Sequence, residues 1–458
     1  IWMDLGQETD IYIPRIKWLP NSQTLAIYRL NRDQNQLELL FGDITTGQTR
    51  TILVEHEKQG WLDITDDLTF LKDGKGFIWS SDQDGFRHLY LYDLSGHLIR
   101  QLTRGHWEVE NIVRVDEENS VVYFTATEKS PLERHLYRVN LDGQGFKRLS
   151  TREGTHHINM APNCKYYLDS FSNVTTPTQV SLHTSDGRMK ELIEPNEIEA
   201  LKDYQLSPPE FLTLKTEDDA VLNAYLIKPV NFDPEKKYPV LIYTYGGPGS
   251  QIVRNHWPLD RYFWHQMLTQ KGYLIFALDN RGTGGRGKMF MKQVYRRLGE
   301  YEVKDQINGV KFLRSLPYVD GNRIGIWGWS YGGYTTCMCM LKGAEYFKLG
   351  IAVAPVTDWK NYDTIYTERY MDQPGDNSEG YEESSTLIHA EKLKGKLLLV
   401  HGDADDNVHL SNTLQLAQAL QQADRPFDLM VYPRKMHGIR GAQVHLFKML
   451  TDYILQNL

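Results

Sequence analysis

Six consecutive residues, Gly328-Trp329-Ser330-Tyr331-Gly332-Gly333, contain a Gly-x-Ser-x-Gly pattern. A serine hydroxyl attacks a carbonyl only when a base takes its proton and a tight turn exposes it. The neighbouring sequence supplies that turn. The apolar run Ile324 to Trp327 reads as a strand, and Tyr334 to Lys342 reads as a helix. Small residues on either side of the serine let backbone segments approach closely, and a helix N-terminus favours negative charge developing beside it. The chemistry implied is acyl transfer through Ser330.

Such a nucleophile needs a base and an acid, delivered in chain order from loops after later strands. His437, in Met436-His437-Gly438, follows the run Leu429 to Tyr432 and is the candidate base. His401-Gly402-Asp403-Ala404-Asp405-Asp406-Asn407 follows the run Lys396 to Val400 and offers Asp403, Asp405 and Asp406 as acids. Spacing alone does not choose among the three. His401 and His445 read as structural. An oxyanion also needs two donors. The backbone N–H of Tyr331 is one candidate. The loop Tyr245-Gly246-Gly247-Pro248-Gly249 offers the other, from a backbone N–H or from the Tyr245 hydroxyl. The glycine-rich Asp279-Asn280-Arg281-Gly282-Thr283-Gly284-Gly285 lacks the Lys-Ser/Thr or helix-start context of a phosphate loop and reads as structural. No metal-ligand spacing is present, and no cofactor is expected.

The elements that must hold these residues are strands alternating with helices. Runs at 240–243, 273–278, 324–327, 350–354, 396–400 and 429–432 read as buried parallel strands, with helical periodicity at 300–316 and 410–422. The fold class of this half is therefore an α/β hydrolase with a doubly wound, mostly parallel sheet. Upstream of Leu206-Ser207-Pro208-Pro209 the pattern changes. Four segments there each combine a turn, an alternating strand, a loop and a second strand, such as His88 to Tyr92 or His135 to Val139. Starts about 45–50 residues apart predict four-stranded β-propeller blades that bury their faces by stacking; a β-sandwich is the other architecture considered. The predicted division is 1–205 for blades and 206–458 for the catalytic domain.

Composition bounds the rest. The chain has 458 residues, 41% hydrophobic and 24% charged, with a formal net charge of −8. Without a basic run, nucleic acid is excluded as a partner. No apolar stretch reaches the ~18–20 residues of a membrane span. The three cysteines do not form a disulfide framework and do not fix a compartment. The start at Ile1 reads as that of a fragment or processed form, with the first blades of a larger propeller missing.

Gly-Trp-Ser-Tyr-Gly-Gly, with Tyr-Gly-Gly-Pro-Gly-Ser-Gln upstream, His-Gly-Asp-Ala-Asp-Asp-Asn-Val-His downstream and the run Tyr362 to Met371, resembles the prolyl oligopeptidase family, most closely its dipeptidyl peptidase IV branch. The resemblance implies that Asp405 is the triad acid and that the Tyr245 hydroxyl faces the oxyanion. It implies a proline pocket of Tyr331, Val356, Trp359, Tyr362, Tyr366 and Val408, and it adds Arg369 to the substrate-binding set. Flat apolar walls suit a pyrrolidine ring. Asn407 matches the residue that holds the carbonyl before the proline; endopeptidase members carry Arg there. Asp363 likewise matches this branch rather than its fibroblast activation protein relative, which has Ala.

The implied activity is serine-type dipeptidyl peptidase cleavage after a penultimate proline or alanine, with peptides as substrates. The alternatives are a prolyl endopeptidase or acylaminoacyl peptidase of the same family, or a non-catalytic binding scaffold. The family's pair of glutamates that anchors the substrate amine has no match in residues 1–205, and Glu382-Glu383 lies in the other half, so the role is not transferred to it. The resemblance further implies a homodimer and a periplasmic, secreted or cell-surface location. Asn173-Val174-Thr175 is a single glycosylation sequon.

Overall fold

The alternating runs of the first two hundred residues form four consecutive antiparallel sheets in the computed structural model, which describes residues 1–458. One long strand from each sheet, Thr24–Asn31, Gly76–Ser81, Val121–Ala126 and Tyr166–Asn173, begins 52, 45 and 45 residues after its counterpart in the sheet before. Three sheets have four strands, and the first has five. Side chains in a strand point alternately to its two faces, and here both faces are buried. Phe77 and Trp79 join a cluster with Tyr28, Leu39 and Phe41 of the preceding sheet, while Ile78 joins one with Val122, Phe124 and Tyr137 of the next. Val121 and Tyr123 repeat the device one sheet later, packing with Met160 and Tyr167. At roughly 1.5–3 kcal/mol per fully buried large apolar side chain, this sharing replaces the core that a single meander lacks.

A polar device repeats as well. His88 Nδ1 meets Thr103 Oγ1 at 3.0 Å, and His135 Nδ1 meets Ser150 Oγ at 2.9 Å. In each case the same hydroxyl oxygen also accepts the amide of the following leucine, Leu89 or Leu136. The three cysteines are buried thiols.

The chain divides into two units that are interlaced in sequence. The first comprises Ile1–Ile198, Arg254–Trp257 and Gly285–Lys292; the second comprises Glu199–Val253, Pro258–Gly284 and Gln293–Leu458. The two short segments are fixed within the first unit by polar contacts. Asn255 Nδ2 donates to Glu133 Oε1 at 2.9 Å, and the Gly287 amide donates to Glu108 Oε1 at 2.7 Å.

The second unit is built on one eight-stranded sheet: β1 (Glu210–Lys215), β2 (Val221–Ile227), β3 (Tyr238–Thr244), β4 (Leu274–Asp279), β5 (Val319–Trp329), β6 (Leu349–Val353), β7 (Lys396–Gly402) and β8 (Asp428–Tyr432). Its order is β1-β2-β4-β3-β5-β6-β7-β8. β1–β2 and β2–β4 are antiparallel, and every other pair is parallel. Helices α1 (Tyr262–Gln270), α2 (Tyr301–Ser315), α3 (Tyr331–Lys342), α4 (Thr364–Met371), α5 (Ser378–Ser384), α6 (Ser411–Gln422) and α7 (Gln443–Asn457) accompany it. α3 starts three residues earlier than the sequence suggests, directly after Ser330. No helix is long and apolar enough to cross a membrane.

Candidate active site

β5 ends at Trp329 and α3 begins at Tyr331, so Ser330 alone makes the turn. Its backbone lies at φ 61°, ψ −120°. A non-glycine residue held there costs of order 1–3 kcal/mol, so the surrounding structure must over-determine it. The Ser330 amide donates to Val353 O at the end of β6, at 2.8 Å. The adjacent glycines are required by space. A Cβ on Gly332 would lie 2.3 Å from Thr244 O, and one on Gly328 would lie 2.4 Å from the Gly332 carbonyl carbon. Tyr331 is the first residue of α3, so its N–H has no intrahelical acceptor.

His437 and Asp405 meet, with His437 Nδ1 donating to Asp405 Oδ2 at 2.8 Å. That bond leaves His437 Nε2 unprotonated in the neutral ring, as a general base requires. The Trp329 indole N–H donates to His437 O at 3.0 Å, which ties the histidine loop to the residue before Ser330. The Asp405 side chain is fully buried. Its Oδ1 accepts the amides of Asn407 and Val408, each at 3.0 Å. Burial pushes the Asp405 carboxyl up, but hydrogen bonds from His401, His437 and the Asn407 amide outweigh it and hold the carboxyl well below the usual range. Asp403 and Asp406 are exposed, and Asp403 Oδ1 accepts the Arg434 amide.

His401 serves this carboxylate. Its Nε2 lies 2.7 Å from Val408 O and 3.2 Å from Asp405 Oδ2, both acceptors, so Nε2 carries the proton. Its Nδ1 then accepts from the Thr413 hydroxyl at 2.7 Å.

Tyr245 directly follows β3. Burial and the nearby Asp260 raise its phenol pKa, so it stays a donor at neutral pH. Its loop is pinned from both sides. The Thr335 hydroxyl donates to Tyr245 O at 3.1 Å, and Asn280 Nδ2 donates to Gly246 O at 3.1 Å. Asp279 accepts the amides of Ile252 and Val253. The glycine-rich loop is thus a brace for the Tyr245 loop.

The aromatic residues named from the sequence form one cluster. The Tyr331 ring lies 6.1 Å from that of Tyr245 and 5.2 Å from that of Trp359. Trp359 is 6.0 Å from both Tyr362 and Tyr366, which are 5.1 Å apart. Tyr362 O–H donates to Asn407 Oδ1 at 2.7 Å, joining the cluster to the Asp405 loop. Val356 and Val408 are buried. Arg369 lies over Tyr370, whose ring is 4.9 Å from that of Tyr366.

Several contributing residues carry no sequence signal of their own: Trp329, Asn280, Thr335 and the buried Glu302, whose Oε1 accepts the Tyr331 hydroxyl at 2.5 Å. Of these, Trp329 stands inside the Ser330 motif and Asn280 inside the glycine-rich segment that braces the Tyr245 loop.

The profile of the prolyl oligopeptidase family matches residues 261–458, and that of the dipeptidyl peptidase IV N-terminal region matches residues 1–178. A probable dipeptidyl peptidase 4 of Aspergillus flavus is 33% identical over 99% of this chain, and a probable dipeptidyl-aminopeptidase B of Aspergillus niger is 35% identical over 99%. The chain spans 61% and 52% of their lengths. The crystal structure of Porphyromonas gingivalis dipeptidyl peptidase 4 superposes with a TM-score of 0.95 at 41% identity, covering 100% of this chain and 65% of that one. A putative dipeptidyl aminopeptidase IV from Bacteroides ovatus gives 0.93 at 35% identity, covering 100% of this chain and 68% of that one. With both halves matched in order, and with these relatives aligned along essentially its whole length, the chain belongs to the prolyl oligopeptidase family.

Proposed function

We propose that this chain carries the catalytic domain of a serine-type dipeptidyl peptidase, with part of a β-propeller before it, and that it hydrolyses peptides after a penultimate proline or alanine. The observation that carries this reading is the Asp405–His437 bond at 2.8 Å, on a histidine tied through Trp329 to the strained Ser330 turn. The four stacked meanders support the propeller, and the names of the relatives support the dipeptidyl activity.

In this mechanism His437 Nε2 takes the proton of Ser330 Oγ as the oxygen attacks the scissile carbonyl carbon. The oxyanion is held by the Tyr331 N–H and the Tyr245 hydroxyl. The intermediate collapses to an acyl-enzyme as His437 returns the proton to the leaving amine. Water, deprotonated by His437, then attacks the ester and frees the dipeptide. Asp405 stabilises the imidazolium formed in each half. The proline ring, or the alanine methyl, lies among Tyr331, Trp359, Tyr362 and Tyr366, walled by Val356 and Val408. Asn407 holds the preceding carbonyl, and Arg369 supports the rim through Tyr370. Two copies associate through the hydrolase domain.

Chromogenic Gly-Pro and N-blocked Gly-Pro substrates test the reading. With the full-length protein, release from the substrate with a free amine alone is expected. Cleavage of the blocked substrate alone means an endopeptidase or acylaminoacyl peptidase, and no cleavage of either means a binding scaffold.

A further inference from the structure

Tyr331 is asked to do two things: present a backbone N–H to the oxyanion and a ring to the pocket. What holds its phenol is a carboxyl group sealed from solvent. Glu302, in the first turn of α2, is fully buried. Its Oε1 accepts the Tyr331 hydroxyl at 2.5 Å, and its Oε2 accepts the Gly299 amide at 3.0 Å. No ion pair compensates it. The titratable groups around it are Tyr331, Tyr334 and Cys339 from α3, Tyr366 from α4, and Asp305 on its own helix. None is a cation, and the charge of Asp305 is already engaged by Arg281 through a two-oxygen contact.

Resting on the functional reading above, we propose that Glu302 is a positioning residue for substrate selection: its ionised carboxylate clamps the Tyr331 phenol against the pocket wall, and its protonation loosens the pocket's grip on a proline ring. The bond is to a charged acceptor only when Glu302 is ionised, and charge-assisted hydrogen bonds are roughly twice as strong as neutral ones. Burial pushes the Glu302 carboxyl up to about 7, while the bonds from Tyr331 and Gly299 favour its charged form. The carboxyl therefore changes charge near neutral pH. The Tyr331 phenol is raised well above its ordinary value by burial and by Glu302, so it remains the donor throughout.

The test is the ratio of kcat/KM for Gly-Pro over Gly-Ala chromogenic substrates between pH 5.5 and 8.5, about one and a half units to either side of a carboxyl pushed up to about 7. Protonation of the catalytic base affects both substrates alike and cancels. For the unmodified protein the ratio is expected to rise about fivefold from the acid to the alkaline end, the difference between a neutral and a charge-assisted bond. Glu302→Gln keeps the shape and an acceptor oxygen but cannot ionise. Its ratio is expected to be flat at the acid-end value, with a lowered melting temperature, because with its oxygen on the Tyr331 hydroxyl its NH2 faces the Gly299 N–H and one buried hydrogen bond is lost. Tyr331→Phe is expected to be flat as well, and adding Glu302→Gln to it should change nothing further. If no proline substrate is cleaved at any pH, the functional reading falls and takes this inference with it. If proline substrates are cleaved but the unmodified ratio is flat, or Glu302→Gln keeps the step, the inference alone is overturned.

Discussion

Replacing Asp405 with Asn is the sharpest probe of the proposed triad, because the two oxygens of Asp405 have different partners. Oδ1 accepts two backbone amides, from Asn407 and Val408, while Oδ2 faces His437 Nδ1 at 2.8 Å and His401 Nε2 at 3.2 Å. An asparagine has one acceptor and one donor end. The two fixed amides claim its oxygen, so its NH2 turns toward both histidines. His437 must then accept at Nδ1 and carry its proton on Nε2, which disables it as a base toward Ser330. A tautomer trapped in this way costs about 10⁴-fold in kcat in a serine protease of another fold, and a loss of about 10³–10⁴-fold is expected here. His401 would lose its contact with the carboxylate and keep Val408 O, so the cost in stability is about 1–3 kcal/mol, that of a buried hydrogen bond left unmade.

The assay is steady-state kinetics on a Gly-Pro chromogenic substrate, with thermal unfolding in parallel. Asp403→Asn and Asp406→Asn serve as internal controls and should stay within about threefold of the parent, since exposed substitutions usually change little. A kcat for Asp405→Asn within tenfold of the parent, in a folded protein, would refute the assignment. So would a larger loss in either control. The sign of the pH effect follows from the same geometry. The Asp405 carboxyl is depressed in the folded state, so its stabilisation is present above the unfolded carboxyl value of about 4. It is lost as pH falls through the folded value, and Asp405→Asn should lack that acid-side component.

Three other outcomes are expected. Ser330→Gly should abolish turnover yet raise stability by about 1–3 kcal/mol in thermal unfolding, because glycine accepts φ 61° without strain; an unchanged or lower stability would count against strain at this turn. Tyr245→Phe should lower kcat by about 10²–10³ with little change in KM, the cost of one oxyanion donor, and an effect confined to KM would assign the hydroxyl to ground-state binding instead. Gly332→Ala places a Cβ 2.3 Å from Thr244 O; a loss of ~3 kcal/mol or more is expected from backbone that cannot give way, checked by the denaturation midpoint.

Much of the scaffold was legible because its signals are local. Strand β7 and helix α6 follow the predicted runs to within one or two residues, since a buried parallel strand is continuously apolar and a half-buried helix repeats every 3.6 residues. α7 has no counterpart among the predicted runs, although Leu446, Leu450 and Ile454 stand on one buried face. The interlaced boundary was not legible. Arg254–Trp257 and Gly285–Lys292 join the first unit through contacts with residues more than a hundred positions away, and no composition shift marks them.

The primary structure by itself determined the acyl-transfer motif and the order of serine, acid and histidine, because each is written in side-chain identity and short-range pattern; the aromatic set entered only through the family resemblance. Only the tertiary structure decided which partners the acid loop engages and what lies behind the pocket wall. Asp403, Asp405 and Asp406 are chemically alike, and they differ in which one the turn after β7 points inward. Glu302 looks like any surface glutamate on a helix until packing of α2 against α3 removes its water and leaves a phenol in its place.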